Sequence, residues 1–400
     1  MTNIAVLGFG TVGGGVVELI DANQDAIRKR LPEGLYVKYI LDIRKFPDSP
    51  YGGRVVDDIN RILEDPEVSV ICETMGGIEP AFSFTKSALE HGISVCTSNK
   101  ELVAARGTQL MEIARAHGAS YLFEASVGGG IPILRPLRDS LAQEEITGIT
   151  GILNGTTNYI LTKMDQEDAS FDDVLKDAQA KGYAERNPEA DIEGKDACRK
   201  IAILSSIVSG KSVRYEDIPC EGISAITKAD HAFAKLAGCR IRLLGTYRKS
   251  GEAVFARIAP YLVPEDHPLY SVSGVFNGIL IHGNMVDDVM FYGQGAGRYP
   301  TASAVVSDVM TLAAADGKCV STEWSEEKLT LTNAEREKNT FFVRLPDSRL
   351  DAAKQLFGDT IVKTLGSLGG ETGLILGPMI EEVFGTVIQA LPEAAYLRML

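Results

Sequence analysis

Residues 3–13, with the sequence NIAVLGFGTVG, decide the fold of the first part of the chain. A short apolar strand runs into a GxGxxG pattern, and an apolar helical pattern follows over residues 16–20. Between a strand and a helix, Gly8 permits a tight turn, Gly10 admits a pyrophosphate close to the backbone, and Gly13 allows helix and strand to pack closely. The N–H groups at the start of the helix then face the anion. The stretch predicts a dinucleotide-binding turn, and a glycine-rich turn without a ligand is the alternative.

Strand-like and helix-like segments alternate through the first 125 residues. Apolar strand-like segments lie at residues 3–7, 37–43, 68–72, 94–97 and 120–123, and amphipathic segments lie at 57–64, 80–91 and 105–117. This alternation is typical of a Rossmann fold, a doubly wound parallel sheet in an α/β protein. Ligands of such sheets bind at the carboxyl ends of the strands. We therefore predict a nucleotide-binding domain over residues 1–125, with residues 74–77 and 97–100 bordering the cofactor.

The end of the second predicted strand bears on the choice of cofactor. Asp42 could accept a hydrogen bond from a free ribose 2′-hydroxyl, which would favour NAD. Arg44 and Lys45 could instead pair with a 2′-phosphate, which would favour NADP. Because two cations follow one another, the sequence slightly favours NADP, and NAD or a merely solvated strand end are the alternatives.

The composition argues against several classes of protein. The chain has 400 residues, enough for two or three domains, and 54 acidic against 40 basic side chains give it a net charge of −14. This charge argues against nucleic acid or an anionic membrane surface as the partner. No apolar run reaches the length of a membrane span, and no signal peptide is predicted. Six dispersed cysteines without a CxxC pair favour reduced thiols and a cytoplasmic location.

Two segments in the middle third are candidates for a site. Residues 124–132, with the sequence EASVGGGIP, could turn backbone carbonyls toward a hard cation, although the residues alone favour a close-packed turn. Residues 151–161, with the sequence GILNGTTNYIL, place four short polar side chains at the start of a predicted helix. Both helix capping and a site-lining loop account for these polar residues.

Residues 178–200 are the most informative part of the chain. A predicted helix ends at Gly182, and a second one starts near residues 191–194. On the second helix Asp196 and Lys200 are four residues apart and share one face. An exposed ion pair is one interpretation of this spacing. The apolar helix that continues beyond Lys200 favours another, a buried lysine tuned for proton transfer.

The same stretch resembles the signature of the homoserine dehydrogenases. The matching residues are Ala178, Gly182, Asn187, Pro188, Asp191, Gly194, Asp196 and Lys200. Further segments similar to that family occur in the family's order, at residues 8–13, 98–100, 124–132, 154–159, 293–297 and 300–303. The resemblance covers roughly residues 1–320. It implies NAD(P)-dependent interconversion of L-homoserine and L-aspartate 4-semialdehyde, a step toward threonine and methionine.

The resemblance also implies roles for individual residues. Lys200 would be the acid/base that exchanges the proton of the reacting oxygen, Asp196 would position it, and Lys100 would lie between nicotinamide and substrate. The implied substrate-binding residues are Glu185, Asp191, Lys100 and Thr156. The implied cofactor-binding residues are Gly8, Phe9, Gly10, Thr11, Val12, Gly13, Arg44, Lys45, Thr74, Lys100, Gly295 and Gly297. A sodium-type cation would be held by Glu124 and by the carbonyls of Val127, Gly129 and Ile131.

The resemblance and the remaining pattern together predict three domains. Residues 126–320 would form an α+β catalytic and dimerisation domain, of which residues 300–320 pack back on the nucleotide-binding domain. Residues 339–400 have a strand and helix pattern of the order βαββαβ, which predicts a ferredoxin-like unit. This unit is similar to the ACT domains of many homoserine dehydrogenases, so either an L-threonine effector site or a structural, dimerising role is expected. Residues 320–338 would be a linker, and the protein a homodimer or a higher homo-oligomer.

Two other functions fit parts of the sequence. An aldehyde-oxidising semialdehyde dehydrogenase would need a nucleophilic cysteine beside a base. Cys72 and Cys96 lie in apolar strands and Cys198 lies on an apolar helix, which argues against this function. A non-catalytic NAD(P)-binding regulator would more naturally carry a basic DNA-binding run, and the sequence has none.

Overall fold

A computed structural model describes residues 2–315, 317–320 and 324–400. The chain divides into two compact units. The first comprises residues 1–143, 202–215 and 293–329, and the second comprises residues 144–201, 216–292 and 330–400. Among the described residues, no helix has both the length and the apolar character that crossing a membrane requires.

The strands and helices of the described residues follow in chain order. The strands are β1 Thr2–Leu7, β2 Leu35–Leu41, β3 Val55–Val56, β4 Val68–Glu73, β5 Ser94–Thr97, β6 Tyr121–Leu122, β7 Ile146–Ile152, β8 Lys211–Ser212, β9 Cys239–Ser250, β10 Ala253–Pro264, β11 Phe276–Gly283, β12 Asp287–Gln294, β13 Ser325–Lys328, β14 Lys338–Pro346, β15 Ile361–Thr364, β16 Glu371–Ile380 and β17 Ala395–Met399. The helices are α1 Thr11–Ala22, α2 Gln24–Arg28, α3 Asn60–Leu63, α4 Ala81–Glu90, α5 Lys100–Ala116, α6 Gly155–Glu167, α7 Phe171–Ala180, α8 Glu189–Ile192, α9 Lys195–Ser209, α10 Lys228–Leu236, α11 Arg298–Ala314, α12 Leu350–Phe357 and α13 Glu381–Ile388.

The first unit is built on a six-stranded parallel sheet. Its strand order is β3-β2-β1-β4-β5-β6, so the order reverses between β1 and β4. This confirms the predicted doubly wound sheet, whose ligands bind at such a reversal. Strand β2 begins two residues earlier than predicted and ends at Leu41. Strand β3 has only two residues, too few for any hydrophobic period to indicate it.

The core of the first unit joins distant parts of the chain. Helix α11 packs against α1, and the buried side chains of Ile4, Val16, Ile20, Ala302 and Val305 belong to one apolar cluster. The segment 298–314 therefore lies with the nucleotide-binding sheet, where its apolar face is covered.

The second unit contains a nine-stranded mixed sheet. Its order is β12-β11-β7-β9-β10-β17-β14-β16-β15, and of the neighbouring pairs whose register is described only β10 and β17 are parallel. The C-terminal elements β14 to β17 follow the order strand, helix, strand, strand, helix, strand. They enclose their own apolar cluster, in which the rings of Phe341 and Phe384 stack with centroids 3.8 Å apart.

The observed units divide the chain differently from the predicted domains. Residues 330–400 group with the second unit because β17 pairs with β10 and extends its sheet. In the predicted linker over residues 320–338, residues 321–323 lie outside the described part, and 325–328 form β13, which pairs with β8. An assignment of residues 339–400 as an ACT-like domain stays a prediction.

Candidate active site

The glycine-rich turn lies at the carboxyl end of β1, where α1 begins. Gly8 has a φ of +92°, a conformation that a side chain would strain. A Cβ on Gly13 would overlap the Gly8 carbonyl and lie 2.7 Å from Thr74 Oγ1, so only glycine fits between helix and strand. A Cβ on Gly10 would meet no atom within 4 Å, so its face of the turn is open. The turn therefore has the close packing and the open backbone that a pyrophosphate site requires.

Thr74 ties the neighbouring strand to this turn. It follows β4 directly, and its Oγ1 lies 2.9 Å from the carbonyl oxygens of both Leu7 and Gly8. Its hydroxyl can donate to either oxygen, which fixes the turn at the strand reversal.

The side chains that sequence analysis assigned to the ribose are joined in one cluster. Asp42 Oδ2 accepts the Phe9 N–H at 2.9 Å and lies 2.8 Å from Arg44 Nη2, while Asp42 Oδ1 accepts from Arg44 Nε at 3.0 Å. The hydrogen bonds from Arg44 hold the pKa of Asp42 down at about 2. Arg44 lies over the Phe46 ring, and the Lys45 side chain is exposed. A carboxylate and a guanidinium thus lie together just after the end of β2.

Glu73, the last residue of β4, is a buried carboxyl that sequence analysis did not single out. It accepts hydrogen bonds from Thr97 Oγ1 at 2.5 Å and from the Met75 N–H at 2.7 Å. Burial raises its pKa to about 7. The sequence pattern that could have pointed to Glu73 is an acidic residue at the end of an otherwise apolar strand.

The titration of Glu73 predicts a pH-dependent stability. The unfolded carboxyl titrates near its ordinary pKa of 4.5 and the folded one near 7, so the folded state binds more protons between these values. The free energy of unfolding attributable to Glu73 therefore falls as the pH rises through this window. Glu73→Gln is expected to stabilise the first unit by about 1–3 kcal/mol at pH 8 and much less at pH 5. The single tryptophan, Trp324, packs against Phe123 of the same unit and reports urea unfolding by fluorescence.

Glu64→Gln, at an exposed site of the same unit, is the matched control and is expected to change stability little at either pH. Equal effects of Glu73→Gln at pH 5 and pH 8 would show that its charge is not the cause.

Two glycine-rich segments of the first unit contact each other through their backbones. A Cβ on Gly129 would collide with the backbone of Gly295, and the Gly130 N–H donates to the Gln294 carbonyl at 3.0 Å. Gly297 has a φ of +127° and precedes α11. A Cβ on Gly130 would lie 2.8 Å from Pro300 Cβ, so close packing explains the glycines at 129 and 130, as the residues alone favoured.

Glu124 caps a helical turn with its carboxylate. Its Oε1 accepts the N–H groups of Ile133 and Leu134 at 2.7 and 2.9 Å, and its Oε2 accepts that of Arg135 at 2.7 Å. These residues precede a turn of π-helix at residues 136–140. Both carboxylate oxygens thus accept N–H donors, and the role of Glu124 as a cation ligand stays a prediction.

Asp308 of α11 anchors this segment and was missed from the sequence. Its Oδ2 accepts the Glu124 N–H at 2.9 Å, and its Oδ1 accepts from Arg135 Nη2 at 2.9 Å. Burial raises the pKa of Asp308 to about 7. Among the described residues, no group of three or more His, Cys, Asp or Glu side chains could hold a metal ion.

In the second unit, Asn154 connects two carboxylates. Its Nδ2 donates to Asp191 Oδ1 at 2.7 Å and to Asp196 Oδ2 at 2.9 Å. Its Oδ1 accepts the Thr157 N–H at 2.8 Å and so caps α6. Both interpretations of the polar segment therefore hold for this residue, which caps a helix and also lines a polar cluster.

Lys200 is part of the same cluster. Its Nζ donates to Asp196 Oδ2 and to the Leu153 carbonyl, both at 2.7 Å. Lys200 is 7% exposed and Asp196 is 4% exposed, so the pair is not the solvated ion pair that spacing alone allowed. A buried lysine amine with a fixed direction is suited to exchanging a proton with a bound hydroxyl.

The other candidate substrate residues lie at different places. Thr156 Oγ1 donates to the Tyr183 carbonyl at 2.6 Å, whereas the side chain of Glu185 is exposed. Lys100 begins α5 in the first unit, after Asn99, whose side chain caps that helix. The structure thus gathers Asp191, Asp196 and Lys200 around Asn154 and leaves Glu185 at the surface.

Comparison with known proteins identifies the family of the chain. The family model "Homoserine dehydrogenase, NAD binding domain" matches residues 8–124, and the model "Homoserine dehydrogenase" matches residues 132–310. The homoserine dehydrogenase of Synechocystis sp. is 45% identical over 317 residues, which cover 77% of this chain and 72% of that protein.

Solved structures of homoserine dehydrogenases are similar over most or all of the chain. One from Thiobacillus denitrificans matches with a TM-score of 0.92 and 32% identity, covering 100% of this chain and 98% of that one. A hyperthermophilic archaeal homoserine dehydrogenase in complex with NADPH matches with a TM-score of 0.65 and 29% identity, covering 78% and 97%. The nucleotide turn, the buried lysine and these matches together show that the chain belongs to the homoserine dehydrogenase family.

Proposed function

We propose that this chain interconverts L-homoserine and L-aspartate 4-semialdehyde with NAD(P), and that Lys200 is the acid/base of the reaction. The observation that carries the proposal is the buried amine of Lys200, held by Asp196 and the Leu153 carbonyl. NAD(P), held at the glycine-rich turn over residues 8–13, would supply the hydride acceptor. Oxidation of a carbinol also needs the hydroxyl proton removed as the hydride leaves, and neutral Lys200 Nζ takes that proton.

Further residues serve the same site in this proposal. Asp191 and Glu185 bind the substrate's ammonium group, since carboxylates are its natural partners. Thr156 contributes a hydroxyl, and Lys100 contacts substrate and nicotinamide. Asp196 positions Lys200, to which it is hydrogen-bonded.

We propose NADP as the preferred cofactor, bound at the turn over residues 8–13 and by Thr74, Gly295 and Gly297. Arg44 and Lys45 would pair with the 2′-phosphate, and the Asp42–Arg44 ion pair supports this because it leaves a guanidinium beside the ribose region. The NADPH complex of the archaeal relative is a second support.

The cofactor proposal predicts the effect of Arg44→Ala. Loss of the guanidinium removes a charge-assisted hydrogen bond to the phosphate and leaves the Asp42 carboxylate to repel it. The KM for NADP is expected to rise at least about tenfold, and the KM for NAD to change less than about twofold. Steady-state kinetics with both cofactors measure this. Equal rises for the two cofactors would contradict a phosphate contact.

A monovalent cation is proposed at residues 124–131, held by Glu124 and by backbone carbonyls. The carboxylate of Glu124 accepts three N–H groups, and Oε2, which accepts one of them, keeps a lone pair for the cation. The carbonyls of Val127, Gly129 and Ile131 provide the oxygen chemistry that a hard cation requires.

The remaining proposals concern the protein's context. We propose a homodimer in the cytoplasm that acts in threonine and methionine biosynthesis. The C-terminal βαββαβ elements have two proposed roles, L-threonine binding or a structural and dimerising function. Adding L-threonine to the activity assay separates them, because only an effector site would make threonine inhibitory.

The assay that tests the function is cofactor reduction, followed by absorbance at 340 nm. L-homoserine, L-serine and L-threonine are offered with NAD or NADP in parallel wells. We expect reduction with L-homoserine and none with L-serine or L-threonine, whose hydroxyl groups lie on C3, one carbon nearer the amino group. If no cofactor is reduced, and aspartate semialdehyde does not oxidise NAD(P)H either, a binding-only regulator replaces the enzyme.

A further inference from the structure

We propose that Cys198 and Cys220 form a peroxide-sensitive dithiol, whose oxidation to a disulfide slows the enzyme. The two thiols hydrogen-bond each other, and neither forms a disulfide in the structure. Cys198 lies on α9, and Cys220 lies in a segment that pairs with Ile258 of β10. Neither residue belongs to the cofactor or substrate residues described above. The effect on turnover rests on the function proposed for Lys200, whereas the oxidation does not.

The two thiols differ in exposure, which separates their chemical roles. Cys198 is buried, and Cys220 is exposed at the surface. Cys220 lies between Glu193, whose carbonyl is 3.1 Å from its Sγ, and Glu221. Both glutamates line a surface cavity of about 440 Å³. A small oxidant such as hydrogen peroxide can therefore reach Cys220 before it reaches Cys198.

The pKa shifts of the two thiols also favour Cys220 as the first to react. The hydrogen bond from Cys198 lowers the pKa of the Cys220 thiol, although burial and the nearby glutamates oppose this. The pKa of Cys198 is raised, by its hydrogen bond with Cys220 and then by burial. Cys220, the exposed thiol, is thus the one that peroxide attacks first, and Cys198 is the thiol that resolves it.

The oxidation is balanced with hydrogen peroxide as the two-electron oxidant. The Cys220 thiol gives up its proton and its sulfur attacks one peroxide oxygen, the O–O bond breaks, and a sulfenic acid forms while the leaving hydroxide takes that proton and departs as one water. The Cys198 sulfur then attacks the sulfenic sulfur, forming the S–S bond, breaking the S–O bond and releasing a second water.

The disulfide would act on the catalytic helix. An S–S bond of about 2.05 Å is shorter than any contact between two thiols, so the two segments must approach. The segment of Cys220 is fixed to β10, because Glu221 N–H donates to the Ile258 carbonyl at 2.8 Å and Ile258 N–H to the Pro219 carbonyl at 2.9 Å. The first turn of α9, which carries both Cys198 and Asp196, must therefore move toward Cys220.

The first turn of α9 is packed closely against the segment of Cys220. Gly194 precedes α9 with a φ of +76°, and a Cβ there would lie 3.0 Å from Cys220 Sγ. A shift of the first turn toward Cys220 draws Asp196 away from Asn154 and Lys200. The hydrogen bonds that these two residues donate to Asp196 are 2.9 and 2.7 Å long, and the shift lengthens them.

The test treats the full-length protein with hydrogen peroxide and then blocks remaining thiols. Mass spectrometry of the digest is expected to show a peptide pair joined through Cys198 and Cys220. Turnover is expected to fall about tenfold and to recover with dithiothreitol, a coupling of ordinary size. Cys198→Ser and Cys220→Ser are expected to keep basal activity and to lose the inhibition by hydrogen peroxide. Cys319→Ser, at another exposed thiol, is expected to remain inhibited.

The two readouts separate this proposal from the proposed function. The peptide pair forms or fails to form whether or not the protein turns over homoserine. Absence of the pair, or inhibition that persists in both serine variants, overturns the dithiol. A pair that forms without any fall in turnover overturns the regulatory effect.

Discussion

Replacing Lys200 with alanine is expected to lower kcat for L-homoserine oxidation by about 10²–10⁴-fold while leaving NAD(P) binding unchanged. Lys200 Nζ donates to the Leu153 carbonyl and to Asp196 within a buried cluster, so no water replaces it freely as proton acceptor. The nucleotide turn belongs to the other unit of the chain.

Lys200→Arg is the control variant that keeps a positive charge at this position. A guanidinium keeps the positive charge beside Asp196 but does not give up its proton in a protein. It is therefore expected to be as inactive as alanine. Turnover at 340 nm and titration of NADPH fluorescence measure the two effects. A kcat within about tenfold of the wild type in either variant would assign proton transfer to another group.

Replacing Asn154 with aspartate is expected to lower kcat by about 100-fold while the N-cap of α6 is kept. Aspartate is as good an N-cap as asparagine, so it still accepts the Thr157 N–H and α6 still begins there. The donor Nδ2 is lost, and a third carboxylate faces Asp191 and Asp196 where two hydrogen bonds were. The repulsion displaces Asp196 and with it Lys200, and a displacement of about 1 Å costs about 10²-fold in rate.

Asn154→Ser separates repulsion from simple loss of the donor. Serine also caps a helix but is too short to reach either aspartate, so its kcat is expected between those of Asn154→Asp and wild type. Thermal unfolding checks that the three proteins are comparably stable. If Asn154→Asp unfolds at the same temperature as the wild type and has the wild-type kcat, Asn154 has no positioning role.

Local sequence patterns predicted the first unit well. The GxGxxG stretch lies between a strand and a helix, where Gly13 has no room for a side chain, as its spacing indicated. The two-residue strands β3 and β8 are too short for a hydrophobic period, and β13 is wholly exposed, so pairing alone forms them. The joining of β17 to β10 is a long-range contact that no local pattern contains.

The site was predicted in part, and the missing part depends on contacts between distant residues. The spacing of Asp196 and Lys200 indicated a shared helix face, but their burial follows from residues about fifty positions earlier, Leu153 and Asn154. Asp308 binds Glu124 across more than 180 positions. Asp42 and Arg44 supported opposite cofactors in the sequence, whereas in the structure they form one ion pair.

The most direct test of the account is a crystal structure with NADPH and L-homoserine, a pair that cannot react with each other. We predict that the substrate hydroxyl lies within about 3.2 Å of Lys200 Nζ, as proton transfer requires. We also predict that the substrate ammonium faces the carboxylates of Asp191 and Glu185. A hydroxyl bound to another ionisable group, with Lys200 still directed only at Asp196 and Leu153, would contradict the proposed catalytic role.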